Sequence, residues 1–250
     1  MDRREFIKGG LILMGGLSLP KSLRKKIERL YSPIDKYDLN GFLIDEYDGL
    51  LDGTIKYNTE LDFSTLDGRG KGQNHGFGIG YRKGNKLITS AHILNVESFM
   101  GLPTETTNRK AIFPDGDGEL LYYDLNDDVA LIEMPKEYGI EFPLGDSDGL
   151  EIGTHVAYAG MAYNVDDTVK TSKVISTRGR KGMVLSDKVG NDNVFLLWTT
   201  LAPGDSGAPI YAFRDGTPEI LGTATAVYKG YNEAHKINNI KSKLKKFIGD

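Results

Sequence analysis

Short runs of alternating apolar and polar residues, separated by Gly- and Asp-rich turns, dominate the chain from residue 76 onward. Gly76-Phe77-Gly78-Ile79-Gly80-Tyr81 alternates, Lys83-Gly84-Asn85 turns, and Lys86-Leu87-Ile88-Thr89-Ser90 returns, which reads as a β-hairpin. Ala111-Ile112-Phe113 and Leu120-Leu121-Tyr122-Tyr123 read as a second pair, joined through Asp115-Gly116-Asp117-Gly118. That joint lacks the further ligands and distant Glu of a calcium loop, and Asp-Gly is a strong hairpin signal, so it is taken as a turn. Further strands are expected at Val129–Met134, Thr154–Gly160, Val169–Thr177, Val194–Thr200 and Ile220–Val227. Ile237, Ile240, Leu244 and Ile248 then switch to helical spacing. Strands and turns on both sides of residue 142 predict an all-β protein. Two antiparallel barrels are expected, residues 73–141 and 142–230, followed by a short C-terminal α-helix, residues 231–250.

The first 72 residues read differently. Arg3-Arg4-Glu5-Phe6-Ile7-Lys8 precedes the apolar run Gly9–Leu17, which is too short to span a bilayer comfortably but fits a signal-peptide core. The charged part resembles a twin-arginine export signal, departing from it at Asp2 and Ile7. No Ala-x-Ala cleavage site follows, so residues 1–20 are expected to be either a signal or a retained membrane tether, and the protein to be exported. Leu23, Ile27 and Leu30 suggest a short amphipathic helix, and residues 21–72 as a whole read as a linker, an extended arm or a pro-segment.

Composition narrows the chemistry. The net charge of −4, without a basic stripe along the body, argues against nucleic acid as a partner. The chain has no cysteine, which excludes disulfides, Cys-based metal sites and a thiol nucleophile together. Lys241, Lys243, Lys245 and Lys246 on the last helix read as a solvated face near its C-terminal dipole.

The candidate chemistry centres on Pro203-Gly204-Asp205-Ser206-Gly207-Ala208-Pro209. A serine hydroxyl is a weak nucleophile that needs a base and an anion-stabilising pocket. Glycines on either side of the Asp-Ser pair permit a turn that aims the N–H groups of Gly204 and Ser206 at one point, an oxyanion hole. The base is expected in Thr89-Ser90-Ala91-His92, a small-residue run at a strand end, whereas His75, His155 and His235 read as structural. The acids Asp127 and Asp128, directly before the apolar run Val129–Ile132, and Asp124 just upstream are the candidates to accept the Nδ1–H of His92. Leu144-Gly145-Asp146-Ser147-Asp148 contains a second Gly-Asp-Ser, but Asp148 replaces the following glycine, so Ser147 reads as a turn residue.

The Thr89–His92 run resembles the Thr-Ala-Ala-His motif of chymotrypsin-like serine peptidases, and its hairpin resembles the cysteine-free bacterial HtrA-type branch. The order His, Asp, Ser is that of the same family. The resemblance covers about residues 70–228 and implies two antiparallel six-stranded β-barrels of the chymotrypsin type. The family's Asp-x-Ala-Leu-Ile-like pattern selects Asp128 over Asp127 and Asp124, which implies a Ser206-His92-Asp128 triad without cofactor or metal, acting on a protein or peptide substrate. By the family pattern Thr200 lies at the base of the primary pocket, and Thr225, Ala226 and Val227 form its wall. With no acid at Thr200, the pattern implies cleavage after small or medium aliphatic residues. Asp205 and Ala208 depart from the HtrA serine motif, and neither a PDZ-like domain nor a Gly-Phe-Ala-Ile-Pro strand follows. Two alternatives stay open: a catalytically silent binding or scaffold module, and a maturation protease dedicated to itself or one partner.

Overall fold

The computed structural model describes residues 49–160, 168–177, 192–198, 201–202, 204–214, 217–228 and 231–249. The signal-like segment, the Leu23–Leu30 helix, Thr200 and Pro203 lie outside these residues.

Seven antiparallel strands build the first barrel: β1 (Ile55–Thr65), β2 (Lys71–Lys83), β3 (Lys86–Thr89), β4 (Ser98–Phe99), β5 (Leu102–Phe113), β6 (Gly116–Asp124) and β7 (Val129–Glu133). The order is β1-β2-β3-β7-β6-β5-β4, and β1 also pairs with β5, so six strands close and β4 hangs from β5 as a short hairpin. Six more strands close the second barrel in the order β10-β13-β12-β11-β8-β9. They are β8 (His155–Gly160), β9 (Thr168–Ser176), β10 (Val194–Leu197), β11 (Pro209–Arg214), β12 (Thr217–Tyr228) and β13 (Tyr231–Lys236). The chain ends in helix α1 (Ile237–Ile248). The expected all-β pair of six-stranded barrels with a C-terminal helix is therefore what forms.

Four strands fall where none was read: β4, β11, β1 and β13. β1 lies in the stretch left open between linker, arm and pro-segment; it pairs with β2 over Ile55–Ser64 and with β5 over Asn58–Thr65. Its inward residues Ile55, Tyr57, Thr59, Leu61, Phe63 and Thr65 alternate with more exposed ones, as a half-buried strand requires. β13 lies in the stretch assigned to the C-terminal helix, and pairs with both β10 and β12.

Each barrel has its own apolar interior. Tyr57, Leu61, Leu87, Phe113 and Ile132 fill the first, and Val156, Tyr158, Phe195, Leu197 and Ile210 fill the second. A third cluster joins them: Tyr81, Ile88, Val129 and Leu131 from the first barrel meet Ala157, Tyr211, Phe213 and Ile220 from the second, under Ile237, Ile240 and Leu244 of α1. Polar contacts fix the same helix. Ser147 is buried, and its Oγ accepts the N–H of Asn238 at 3.1 Å, while Asn238 Nδ2 donates to Asp146 Oδ1 at 2.7 Å. The second Gly-Asp-Ser is thus an anchor for the start of α1.

Lys243, Lys245 and Lys246 are exposed, as a solvated face requires, while Lys241 is partly buried. Lys241 Nζ donates to the Gly145 carbonyl at 3.0 Å, and Lys243 pairs with Asp127, one residue before Asp128. These two contacts tie α1 to both barrels, along whose junction it lies.

Leu244→Ala is expected to lower unfolding stability by about 2–5 kcal/mol, since it opens a cavity in the cluster shared by both barrels. Denaturant unfolding followed by tryptophan fluorescence and by far-UV circular dichroism should show one shifted transition; two separate transitions would show that the barrels unfold independently.

Candidate active site

The hairpin of β2 and β3 delivers His92. After Thr89 the chain leaves the sheet at Ser90 and enters a 3-10 turn, Ala91–Leu94, on whose first turn His92 sits. Thr89 Oγ1 donates to the Ile79 carbonyl at 2.6 Å, and Ser90 Oγ donates to the Ala224 carbonyl at 3.1 Å, so the turn is anchored to both barrels.

Asp128 precedes β7 with φ 46°, in the left-handed region that a short polar side chain tolerates best. Its carboxylate is buried and well supplied with donors. Oδ1 accepts the backbone N–H of His92 at 2.8 Å, and His92 Nδ1 lies 3.0 and 2.9 Å from the two carboxylate oxygens. Thr225 Oγ1 donates to Oδ2. Burial opposes charge on both partners, yet their mutual hydrogen bond and attraction win. His92 is held above the ordinary histidine value, and Asp128, with help from Thr225, below the ordinary carboxylate value.

Ser206 sits at the corner of a tight turn closed by Ala208 N–H to the Asp205 carbonyl at 3.1 Å, with Gly207 at φ 87°. A turn just before it, closed by Asp205 N–H to the Ala202 carbonyl at 2.9 Å, carries Gly204 at φ 103°. Buried Asp205 braces that turn, its Oδ2 accepting the Ala202 N–H at 2.8 Å. Among the described residues, the N–H groups of Gly204 and Ser206 make no intramolecular hydrogen bond. Ser206 Oγ donates to the Thr225 carbonyl at 3.3 Å, and no hydrogen bond joins it to His92 among the described residues. Gly207 is needed for space as well as angle. A Cβ there would lie 2.1 Å from the Ile79 carbonyl oxygen and 2.7 Å from Thr89 Oγ1.

The structure thus brings His92 and Asp128 into contact and links Ser206 to Asp128 through Thr225. Thr225, expected in the wall of the primary pocket, turns its hydroxyl to Asp128. The register of β12 against β13 shifts between Ala224 and Ala226, and the bulged residue is free to leave the sheet plane. Ala226 and Val227 follow on β12, paired with Glu233 and Asn232. The other histidines lie apart from this contact: His75 is exposed and bonded to Gln73, His155 is partly buried on β8, and His235 is buried on β13.

Sequence reasoning missed one buried acid, Glu233, only 1% exposed. Its signal, a Glu inside Tyr231–Lys236, is hidden because that stretch shows no apolar alternation.

No protein-family model matches the chain. It is 27% identical over 157 residues to the magnetosome formation protease MamE of Paramagnetospirillum magneticum, covering 62% of this chain and 20% of that protein. It is 26% identical over 186 residues to the chloroplastic Protease Do-like 1 of Arabidopsis thaliana, covering 70% and 39%. The chain therefore spans well under half the length of either curated relative. Among solved structures, the HtrA-type protease AlgW with a tripeptide superposes with TM-score 0.55 at 17% identity, covering 81% of this chain and 64% of that one. The active form of the Rv3671c protease from M. tuberculosis superposes with TM-score 0.53 at 17% identity, covering 77% and 81%. The fold is the chymotrypsin-type double barrel. The resemblance carried by the His and Ser motifs holds, since HtrA-type and Do-like proteases are what this chain is similar to.

Gly207→Ala is expected to destabilise the protein by more than about 2 kcal/mol, combining a left-handed alanine with a contact against backbone that cannot yield. Urea denaturation measures it, and a loss under about 0.5 kcal/mol would show that the turn relaxes freely.

Proposed function

We propose that this chain is a serine endopeptidase in which Ser206, His92 and Asp128 act as a catalytic triad on a protein or peptide substrate. The observation that carries the reading is the Asp128 carboxylate on His92 Nδ1, held by the same β12 segment that accepts the Ser206 hydroxyl. An imidazole bonded in this way presents Nε2 as the base. Rotation about the Ser206 Cα–Cβ bond exchanges the Thr225 carbonyl for Nε2 as acceptor.

Ser206 Oγ then attacks the scissile carbonyl while His92 takes its proton, and Asp128 stabilises the resulting imidazolium. The N–H groups of Gly204 and Ser206 hold the tetrahedral oxyanion; each such donor is worth roughly 3 kcal/mol in acyl transfer. His92 returns the proton to the leaving amine. Water, deprotonated by His92, repeats the sequence on the acyl-enzyme and frees Ser206.

For the primary pocket we propose Thr200 at the base with Val227 on the facing strand, taking small or medium aliphatic residues before the cut. Residues 1–20 are proposed to direct export through a twin-arginine route, in keeping with the chloroplast named for one relative.

A fluorophosphonate probe on the purified full chain is expected to label the wild type and the Ser147→Ala variant but not Ser206→Ala. No labelling of the wild type would favour a silent binding module. The labelling rate should rise with pH through a midpoint above the ordinary histidine value near 6.5, because the base must be neutral and Asp128 favours its protonated form. Asp128→Asn should move that midpoint downward, burial then acting alone, and slow labelling by roughly 10⁴-fold. Export is checked by fractionating cells that express the full chain. Protein confined to the cytosolic fraction with Met1 intact would overturn it.

A further inference from the structure

The outer face of β2 emerges from beneath the second barrel beside the serine turn. On β1, Ile55 and Tyr57 point into the first barrel, and their partners across the ladder are Gly80 and Gly78. Side chains alternate along a strand, so Phe77, Ile79 and Tyr81 point out of that barrel. Tyr81 and Ile79 are fully buried there. Tyr81 OH lies 2.8 Å from Thr223 Oγ1, and Ile79 joins the apolar cluster of the second barrel with Ala208 and Ile210. The next residue on this face, Phe77, is only half-buried, and His75 and Gln73 beyond it are exposed. The face therefore leaves its cover between Ile79 and Phe77. Ile79 also underlies the serine turn, since a Cβ on Gly207 would lie 2.1 Å from the Ile79 carbonyl oxygen. Phe77 thus stands two residues, about 7 Å along the strand, from the contact that seats Ser206.

A groove opens at that point. It has a volume of about 460 Å³ and is lined by Asn58, Thr59, His75, Gly76, Phe77 and Ile112. Asn58 pairs with Phe77 on one side and with Ile112 on the other, so the three form one row across β2, β1 and β5. Phe77 and Ile112 are the apolar members of that row, with the Asn58 amide between them. The next row is polar. His75, Glu60 and Lys110 stand in register, Lys110 Nζ lies 3.6 Å from Glu60 Oε1, and His75 Nε2 lies 3.0 Å from Gln73 Oε1. The groove is apolar nearer Ser206 and polar at its far end. Apolar walls with a few placed polar groups are what a large side chain needs, and nothing in the proposed triad chemistry uses them.

We propose that this groove is a substrate subsite on the leaving-group side of the cut, and that it takes an aromatic side chain. This rests on the serine peptidase reading. There the acyl part of the substrate lies along Thr225–Val227 of the second barrel, whereas His92, which hands its proton to the leaving amine, belongs to the first. The chain after the cut therefore departs over the first barrel, and the first-barrel surface that adjoins the serine turn is the Phe77 face. An extended chain advances about 3.3 Å per residue, which brings the second or third residue after the cut over the groove. An aromatic ring there packs offset or edge-to-face on Phe77 and against Ile112, while Asn58 and His75 offer partners to a tyrosine hydroxyl. An aliphatic side chain gains the burial alone.

The test uses internally quenched peptides with valine before the cut and phenylalanine, tyrosine, leucine or alanine at each of the four positions after it. Active enzyme is counted by fluorophosphonate titration. For each variant kcat/KM is read as a ratio to the alanine peptide, so a general loss of activity cancels. In the wild type, phenylalanine or tyrosine at the second or third position should raise kcat/KM at least tenfold over alanine and should exceed leucine. Phe77→Ala removes a wall, and Asn58→Trp fills the groove from an exposed position; each should bring the ratio to about one. The same order is read as binding, from the thermal shift that each peptide gives Ser206→Ala with and without Asn58→Trp. No aromatic preference in an active wild type, a preference confined to the other positions, or a ratio unchanged in both variants overturns the subsite while leaving the peptidase standing. A wild type that neither labels nor cleaves overturns the peptidase reading, and the subsite with it.

Discussion

One backbone oxygen holds the candidate site together. The Ala224 carbonyl accepts the Gly207 N–H at 2.8 Å and the Ser90 hydroxyl at 3.1 Å, so the serine turn and the histidine turn hang from the same atom of β12. Thr225 follows, with its carbonyl on Ser206 and its hydroxyl on Asp128. Two consecutive residues of one second-barrel strand thus reach all three candidate triad segments, two of which belong to the first barrel. A shift of β12 by one residue would exchange the faces of both contacts at once. Register, more than any single pair, is what the geometry depends on.

The bulge in β12 reconciles that register with the rest of the barrel. Ala224 must point inward among Phe195, Leu197 and Ile210, yet Thr225 must reach Asp128. In a regular strand the following residues would keep strict alternation along both faces. The shift between Ala224 and Ala226 releases Thr225 from the pairing and returns the strand to β13 at Glu233. α1 reinforces this from outside. Its apolar side completes the cluster between barrels, and Lys243 holds Asp127, the neighbour of Asp128.

Much of this was legible in the residues, and the failures have physical causes. The β2–β3 hairpin, the strand after Asp128 and the glycines around Ser206 are local signals, because turn chemistry and period-two alternation are decided within a few residues. The His92–Asp128 contact could be expected only through a motif, since 36 residues separate the pair. β1 does alternate, but Thr59 and Thr65 occupy inward positions and weaken its apolar pattern. β13 defeats pattern reading altogether: its buried residues include Asn232, Glu233 and His235, which no hydropathy rule would place inside. Thr225 was legible as a residue near the site, but the partner of its hydroxyl, Asp128, lies 97 residues away in the other barrel. The contacts of Lys241 and Lys243 were equally hidden, because their partners Gly145 and Asp127 lie 96 and 116 residues away and a helix-period reading sees only α1 itself.

The two buried acids of this region show what burial does and does not decide. Asp128 and Glu233 both lose most of their water, and for both that loss disfavours the charged form. Asp128 receives the His92 N–H, the His92 ring and the Thr225 hydroxyl, and its carboxyl falls below the ordinary value. Glu233 receives no hydrogen bond at Oε1, and its carboxyl rises to about 7. The difference is therefore made by donors, not by depth. Asp128 is complete within the chain and can hold one geometry through a reaction. Glu233 lacks such donors among the described residues, and its carboxyl is held toward the neutral form.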